Sequence, residues 1–163
     1  MALTLEDRLA ITELIALHGH LVDEGELDRL DAVFTEDVEY DLTDFGQGTV
    51  TGLAELVGAS LALGAGNPVA HHVTNVVIEE PTEGKVRARS KGLGIRTDGS
   101  CGSVTYEDTV VRTGTGWRIS HRKVSARREP LNGARSAPQG RGPVSNMRLR
   151  RGARPATTNP QTT

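Results

Sequence analysis

Four stretches in the second half of the chain constrain its fold more than anything else in the sequence. Val69–Glu80, Lys85–Thr97, Ser103–Thr113 and Trp117–Ala126 are each about ten residues long and rich in β-branched side chains. Turns at Glu83-Gly84, Asp98-Gly99 and Gly114-Thr115-Gly116 separate them. Links this short join strands that run in opposite directions, because a parallel neighbour is reached only by a long crossover. The spacing therefore predicts an antiparallel meander of four strands. A meander of this kind buries one face, and something in the chain must cover it.

The first half supplies the cover. Thr4 and Asp7 have the spacing of a capping box, with Asp in place of Glu, and open a helix near Leu5. On a 3.6-residue wheel Ala10, Ile11, Leu14, Ile15, Leu17, Leu21 and Val22 share one broad face, and Gly25 stops the helix. Glu26–Phe34 reads as a second short helix, with Leu27, Leu30 and Phe34 at i, i+3 and i+7. Val38–Leu42 alternates as a strand, Thr43–Val50 reads as a loop, and Leu53–Leu63 reads as a helix ending in Gly64-Ala65-Gly66. The predicted fold class is α+β, with helices packed on one face of a curved sheet over residues 3–128.

Composition excludes several function classes. The single Cys101 rules out an intrachain disulfide and a Cys-cluster metal site. No apolar run approaches the roughly 20 residues of a bilayer span, so no membrane partner is expected. Met1–Arg8 carries Glu6 and Asp7 and no apolar signal core, which predicts a cytoplasmic protein. Net charge is −2, with 19 basic and 21 acidic residues, so nothing global attracts nucleic acid. Beyond Glu129 every charged side chain is Arg (135, 141, 148, 150, 151 and 154), set among Gly, Pro, Ser, Thr and Asn. Residues 129–163 are therefore expected to be a disordered basic tail. It has no aromatic residue to stack a base, so nucleic acid is not an expected partner, and weak binding through the arginines is the most it offers.

The residues able to carry chemistry are few. His18 interrupts the apolar stripe of the first helix, and Asp23 ends that helix off the stripe. Taken alone, each has an ordinary structural reading: a core imidazole and a solvated carboxylate. His71 and His72 are adjacent in a strand and must point to opposite faces. Strict alternation puts His71 with Val69, Val73, Asn75 and Val77, and His72 with Ala70, Thr74, Val76 and Ile78, and leaves open which row faces inward. Tyr40 lies on the first strand, and Tyr106 and His121 lie on later ones. There is no phosphate-binding Gly loop, no GxGxxG and no GxSxG elbow. His18 and His20 are about 200° apart on the helix, so no metal site is predicted. Cys101, within DGSCG, reads as a turn residue.

The run LEDRLAITELIALHGHLVDEGELDRLDAVFTEDVEYD, then HHVTNVVIE, then GWRISHRKVSAR, resembles the SnoaL-like branch of the nuclear transport factor two-like superfamily over about residues 3–127. The resemblance implies a cone-shaped barrel: a strongly curved, mostly antiparallel sheet wrapped around the N-terminal helices, with a deep pocket. It is nearest to the scytalone dehydratase, hexachlorocyclohexane dehydrochlorinase and bile-acid dehydratase group. Those enzymes eliminate water or HCl without a cofactor, using a His–Asp pair. Their Asp ends the first helix, where Asp23 stands. Their His lies in the strand after the third helix, four residues before an Asn in the dehydrochlorinase, as His71 precedes Asn75 here.

The resemblance thus implies His71 and Asp23 as the catalytic pair, with substrate contacts from His18, Tyr40 and Asn75. Scytalone dehydratase has a Tyr where Val22 stands, and a gapless count puts Arg96 at its second pocket His. Arg96 accordingly joins the substrate-binding candidates, with His72, Asp98, Tyr106 and His121 behind it. Related polyketide cyclases carry an acid/base carboxylate on a later strand, a part open to Asp98 or Asp108. The implied function is that of a cofactor-independent lyase or isomerase, of dehydratase or cyclase type, acting on a small hydrophobic oxygenated ring or polyketide-like substrate in secondary metabolism. The alternative is a non-catalytic ligand-binding or structural subunit of the same fold. A homodimer or homotrimer formed through the outer sheet face is also implied.

Overall fold

A computed structural model of the chain describes residues 2–82 and 84–134. Helix α1 spans Leu5–Asp23 and begins as its capping box predicts. Thr4 Oγ1 accepts from the Asp7 N–H at 3.1 Å, and Asp7 Oδ2 accepts from the Thr4 N–H at 3.2 Å. Its buried face is Ile11, Leu14, Ile15, His18, Gly19 and Leu21. Leu17 and Val22 are half-buried, and Ala10, expected on this face, is exposed. The apolar stripe is narrower than the wheel suggests, and a histidine and a glycine complete it.

The predicted second helix is instead a 3-10 turn at Leu27–Ala32. Strand β1 runs Phe34–Asp41 and so begins four residues before the predicted Val38. The reason is tertiary. Val33 O accepts from the Ile119 N–H at 2.8 Å, and Phe34 pairs with Ile119 of the last strand, so sheet hydrogen bonds claim residues that helical spacing assigned to a turn. The predicted loop after β1 holds a short strand, β2 (Thr49–Thr51), which pairs back on β1. Helix α2 spans Leu53–Leu63.

The meander follows as β3 (Ala70–Thr82), β4 (Lys85–Ile95), β5 (Cys101–Thr113) and β6 (Gly116–Ala126), each antiparallel to the next. The sheet order is β2-β1-β6-β5-β4-β3, with β1 and β6 parallel. The barrel is open among the described residues, because β2 and β3 are edge strands. Helix α1 packs across the sheet against β3 and β6. Its buried face meets Phe34, Val38, Tyr40, Val86, Ala88, Tyr106, Val110, Ile119 and Val124 in one core.

The described strands shift register at four places, Phe34/Glu39, Thr74/Val77, Glu79/Thr82 and Thr109/Val110, and two of these bear on the site. One lies in β3 between Thr74 and Val77, where Asn75 has φ 56°. The other lies in β6, where Ser120 is the extra residue between the pairs Val110–Ile119 and Thr109–His121. A bulge adds one residue and so moves every later side chain to the other face. After a turn at Pro130–Gly133, in which Leu131 and Asn132 have φ of 53° and 56°, the expected basic tail lies outside the described residues from 135 onward. No helix among the described residues is long and apolar enough to cross a membrane.

Candidate active site

Asp23 is the last residue of α1, and His71 is the second residue of β3. The structure brings them together through two hydrogen bonds. Asp23 Oδ1 lies 2.6 Å from His71 Nδ1, and Asp23 Oδ2 accepts from the His71 backbone N–H at 2.8 Å. An ionised carboxylate can only accept, so the ring proton belongs on Nδ1 and the lone pair on Nε2. The side chains are 15 % and 24 % exposed, so the pair sits at the rim of the core within reach of solvent.

Gly19 lies against the backbone of His71. A Cβ at that position would stand 2.6 Å from the His71 carbonyl oxygen. A glycine inside a helix costs about 1 kcal/mol relative to alanine, and here it gives close contact with β3 in return. The sequence signal was a glycine in the middle of an apolar helix stripe.

Inward of the pair lies a cluster of rings. His18 is 6 % exposed and meets Phe34, Tyr106 and His71 edge-on, with ring centroids 5.5, 6.2 and 6.3 Å away. Burial, and then the positive charge of Arg122, hold its pKa well below the ordinary imidazole value, so His18 is neutral. Tyr106 lies flat over β4, where a Cβ on Gly92 would come within 2.5 Å of its ring. Tyr40 packs against Phe34 at 5.9 Å. Burial raises both tyrosines above their ordinary pKa, which keeps the hydroxyls protonated as donors.

At the bottom of the cluster Arg122 and Asp108 form a bidentate ion pair with no exposed side-chain surface. Arg122 Nε and Nη2 donate to the two carboxylate oxygens, each at 2.7 Å. The guanidinium carbon stands 4.4 Å over the Tyr106 ring and 5.4 Å over Phe34. Burial opposes the charge, and Asp108 outweighs it, so Arg122 is held as a cation. Among the described residues, four buried side-chain polar atoms have no protein partner: Arg122 Nη1, His18 Nδ1, Ser90 Oγ and Thr35 Oγ1. Polar atoms in that state are costly unless something else meets them. Arg122 was not among the sequence candidates. Strict alternation from Ile119 puts His121 inward and Arg122 outward, and the Ser120 bulge exchanges them.

The remaining candidates are placed elsewhere. His72 is exposed on the face opposite His71. Asn75 is exposed at the β3 bulge, so it leaves the row of His71 and Val73; beyond the bulge Val76 and Ile78 face inward and Val77 outward. Arg96 is exposed in the β4–β5 turn, where its N–H donates to Ser100 O at 2.8 Å; β4 ends one residue before it. Asp98 is spent on the same turn, accepting from the Ser100 N–H at 2.9 Å. His121 lines a hollow of about 320 Å³ on the outer face of the sheet with Glu79, Arg87, Arg89, Glu107 and Lys123, away from the dyad. Cys101 is exposed. Among the described residues no group of three or more His, Cys, Asp or Glu is arranged to hold a metal ion.

A family model described as the SnoaL-like domain matches residues 3–123. Among solved structures, the chain is similar to an NTF2-like protein with a cystatin-like fold from Novosphingobium aromaticivorans DSM, at 30 % identity and TM-score 0.63, covering 75 % of this chain and 82 % of that one. It is similar to LinA at 26 % identity and TM-score 0.64, covering 82 % and 95 % of the two chains. A protein provisionally described as a scytalone dehydratase, from Novosphingobium aromaticivorans DSM 12444, shares the fold at 24 % identity and TM-score 0.64 over 85 % and 97 %. No curated protein matches the sequence.

Proposed function

The chain belongs to the SnoaL-like domain family, and from that premise we propose that it is a cofactor-independent lyase or isomerase acting on a small, largely apolar, oxygenated ring compound. The observation that carries this reading is the double contact between Asp23 and His71. His71 Nε2 takes a proton from a carbon next to a carbonyl or a leaving group, and Asp23 stabilises the imidazolium that forms. The electron pair left on carbon becomes a double bond. It either expels a leaving group, as in dehydration, or moves charge onto the carbonyl oxygen, as in isomerisation or cyclisation.

The inner wall suits that charge. Arg122 Nη1 and the protonated hydroxyls of Tyr106 and Tyr40 are donors, and neutral His18 does not compete for the proton. Because Asp108 already balances Arg122, the wall is formally neutral before reaction. It therefore favours a substrate that is itself neutral and develops charge only on the way to the transition state. Phe34, packed edge-on against His18 and Tyr40, gives the cluster an apolar member that suits a hydrophobic ring.

The test needs no knowledge of the natural substrate. Small cyclic ketones and hydroxyketones are incubated with the protein in deuterated water, and exchange at the α-carbon is followed by NMR. Exchange faster than in buffer, falling roughly 10²- to 10⁴-fold in His71→Ala and Asp23→Asn, is the expected result. Exchange unaffected by either variant removes the dyad from the mechanism. Binding without any exchange favours the ligand-binding alternative.

A further inference from the structure

Gly19 and Asp23 are four residues apart on α1, so they lie one above the other on the same face of the helix. Both reach residue 71. Asp23 holds its ring and its backbone N–H, and the bare Cα of Gly19 faces its carbonyl oxygen. We infer that Gly19 is a positioning residue for the dyad: its missing side chain sets the spacing of α1 from β3 at which Asp23 can hold His71 from both sides. The inference rests on the proposed role of the pair only for its consequence in turnover.

The geometry leaves little slack. A Cβ on residue 19 would lie 2.6 Å from His71 O, and Cβ contacts under 3.0 Å are essentially never seen, so helix and strand would separate by at least about 0.4 Å. The obstacle is backbone, which cannot swing aside as a side chain can. Gly58, the glycine inside α2, has open space in the corresponding direction, so of the glycines inside the two α-helices only Gly19 meets a neighbour. Asp23 is a short side chain whose two bonds are 2.6 and 2.8 Å long. Hydrogen bonds of this length weaken as they stretch and tilt.

The experiment is NMR of the full chain carrying ¹⁵N-labelled histidine, read at the imidazole N–H of His71. A short His–Asp bond gives a far-downfield, slowly exchanging proton. We expect that signal in the wild type and its loss in Asp23→Asn. We expect its loss in Gly19→Ala with the amide spectrum still dispersed, and its return in the double variant Gly19→Ala/Asp23→Glu, whose longer carboxylate side chain spans the wider gap. A Gly19→Ala signal unchanged in shift, beside a lost signal in Asp23→Asn, overturns the inference and leaves the dyad intact. A signal that survives Asp23→Asn overturns both. Should Gly19→Ala be recovered only unfolded, a crystal structure of the wild type decides. A Cβ built on residue 19 closer than 3.0 Å to His71 O upholds the inference, and 3.0 Å or more overturns it.

Discussion

Asp108 and Asp23 each hold a basic residue with two hydrogen bonds under 2.9 Å, in very different surroundings. Asp108 holds Arg122 in a site with no exposed side-chain surface, whereas Asp23 holds His71 at a rim where both side chains keep some contact with solvent. A guanidinium does not give up its proton, so the buried pair is permanently charged and shapes its surroundings. An imidazole can give it up, and the proposed function uses the rim pair in that way. The contacts are alike in length; the partner's chemistry and the access of solvent distinguish the two pairs.

The sharpest way to break this comparison is to remove each carboxylate in turn. Asp108→Ala strands a buried cation and is expected to cost about 3–5 kcal/mol of stability, read by urea denaturation. Asp23→Asn, with partial solvent access, is expected to cost about 1 kcal/mol while removing most of the α-proton exchange. Equal losses of stability in the two variants would mean that burial does not distinguish the two pairs.

A second prediction concerns the imidazole between the two pairs. His18 has a folded-state pKa well below its ordinary value of 6.5, so the unfolded chain binds a proton that the folded one refuses. Stability from this group is present above pH 6.5 and is lost as pH falls from there toward the folded-state pKa, by at most about 1.4 kcal/mol per pH unit. Thermal melts from pH 7 to 5 should show that slope, and His18→Gln should flatten it. Arg122, His71 and Tyr106 are the charged or titratable groups that bear on it.

The smallest expected effect lies far from both pairs. Thr4→Ala removes one half of the capping box and should cost about 1 kcal/mol, with no change in exchange activity. A variant there that altered the chemistry would mean that the start of α1, and not only its last turn, controls the dyad.

Local signals were legible wherever sequence neighbours decide the outcome. The capping box, the buried stripe of α1 and the four-strand meander follow from propensity, periodicity and turn length. His71, Asp23, His18, Tyr40 and Tyr106 were all named as candidates, and all five lie in or beside the same inner cluster. Phe34 was read as the end of a helix because its spacing from Leu27 and Leu30 fits one, and its pairing with Ile119 is non-local.

Period-two patterns and turn spacing thus determined the four strands of the meander and how they follow one another, while β2 and the start of β1 were not legible. Only the folded sheet decided which face each side chain meets, because a single inserted residue reverses the alternation at almost no cost in composition. The bulge at Asn75 turned that residue outward, and the one at Ser120 put Arg122 rather than His121 beneath the tyrosines. The 2.6 Å contact of Asp23 with His71 belongs to tertiary structure as well: 48 residues separate the two, and no local rule sets the distance between a helix end and a strand that starts after an intervening helix.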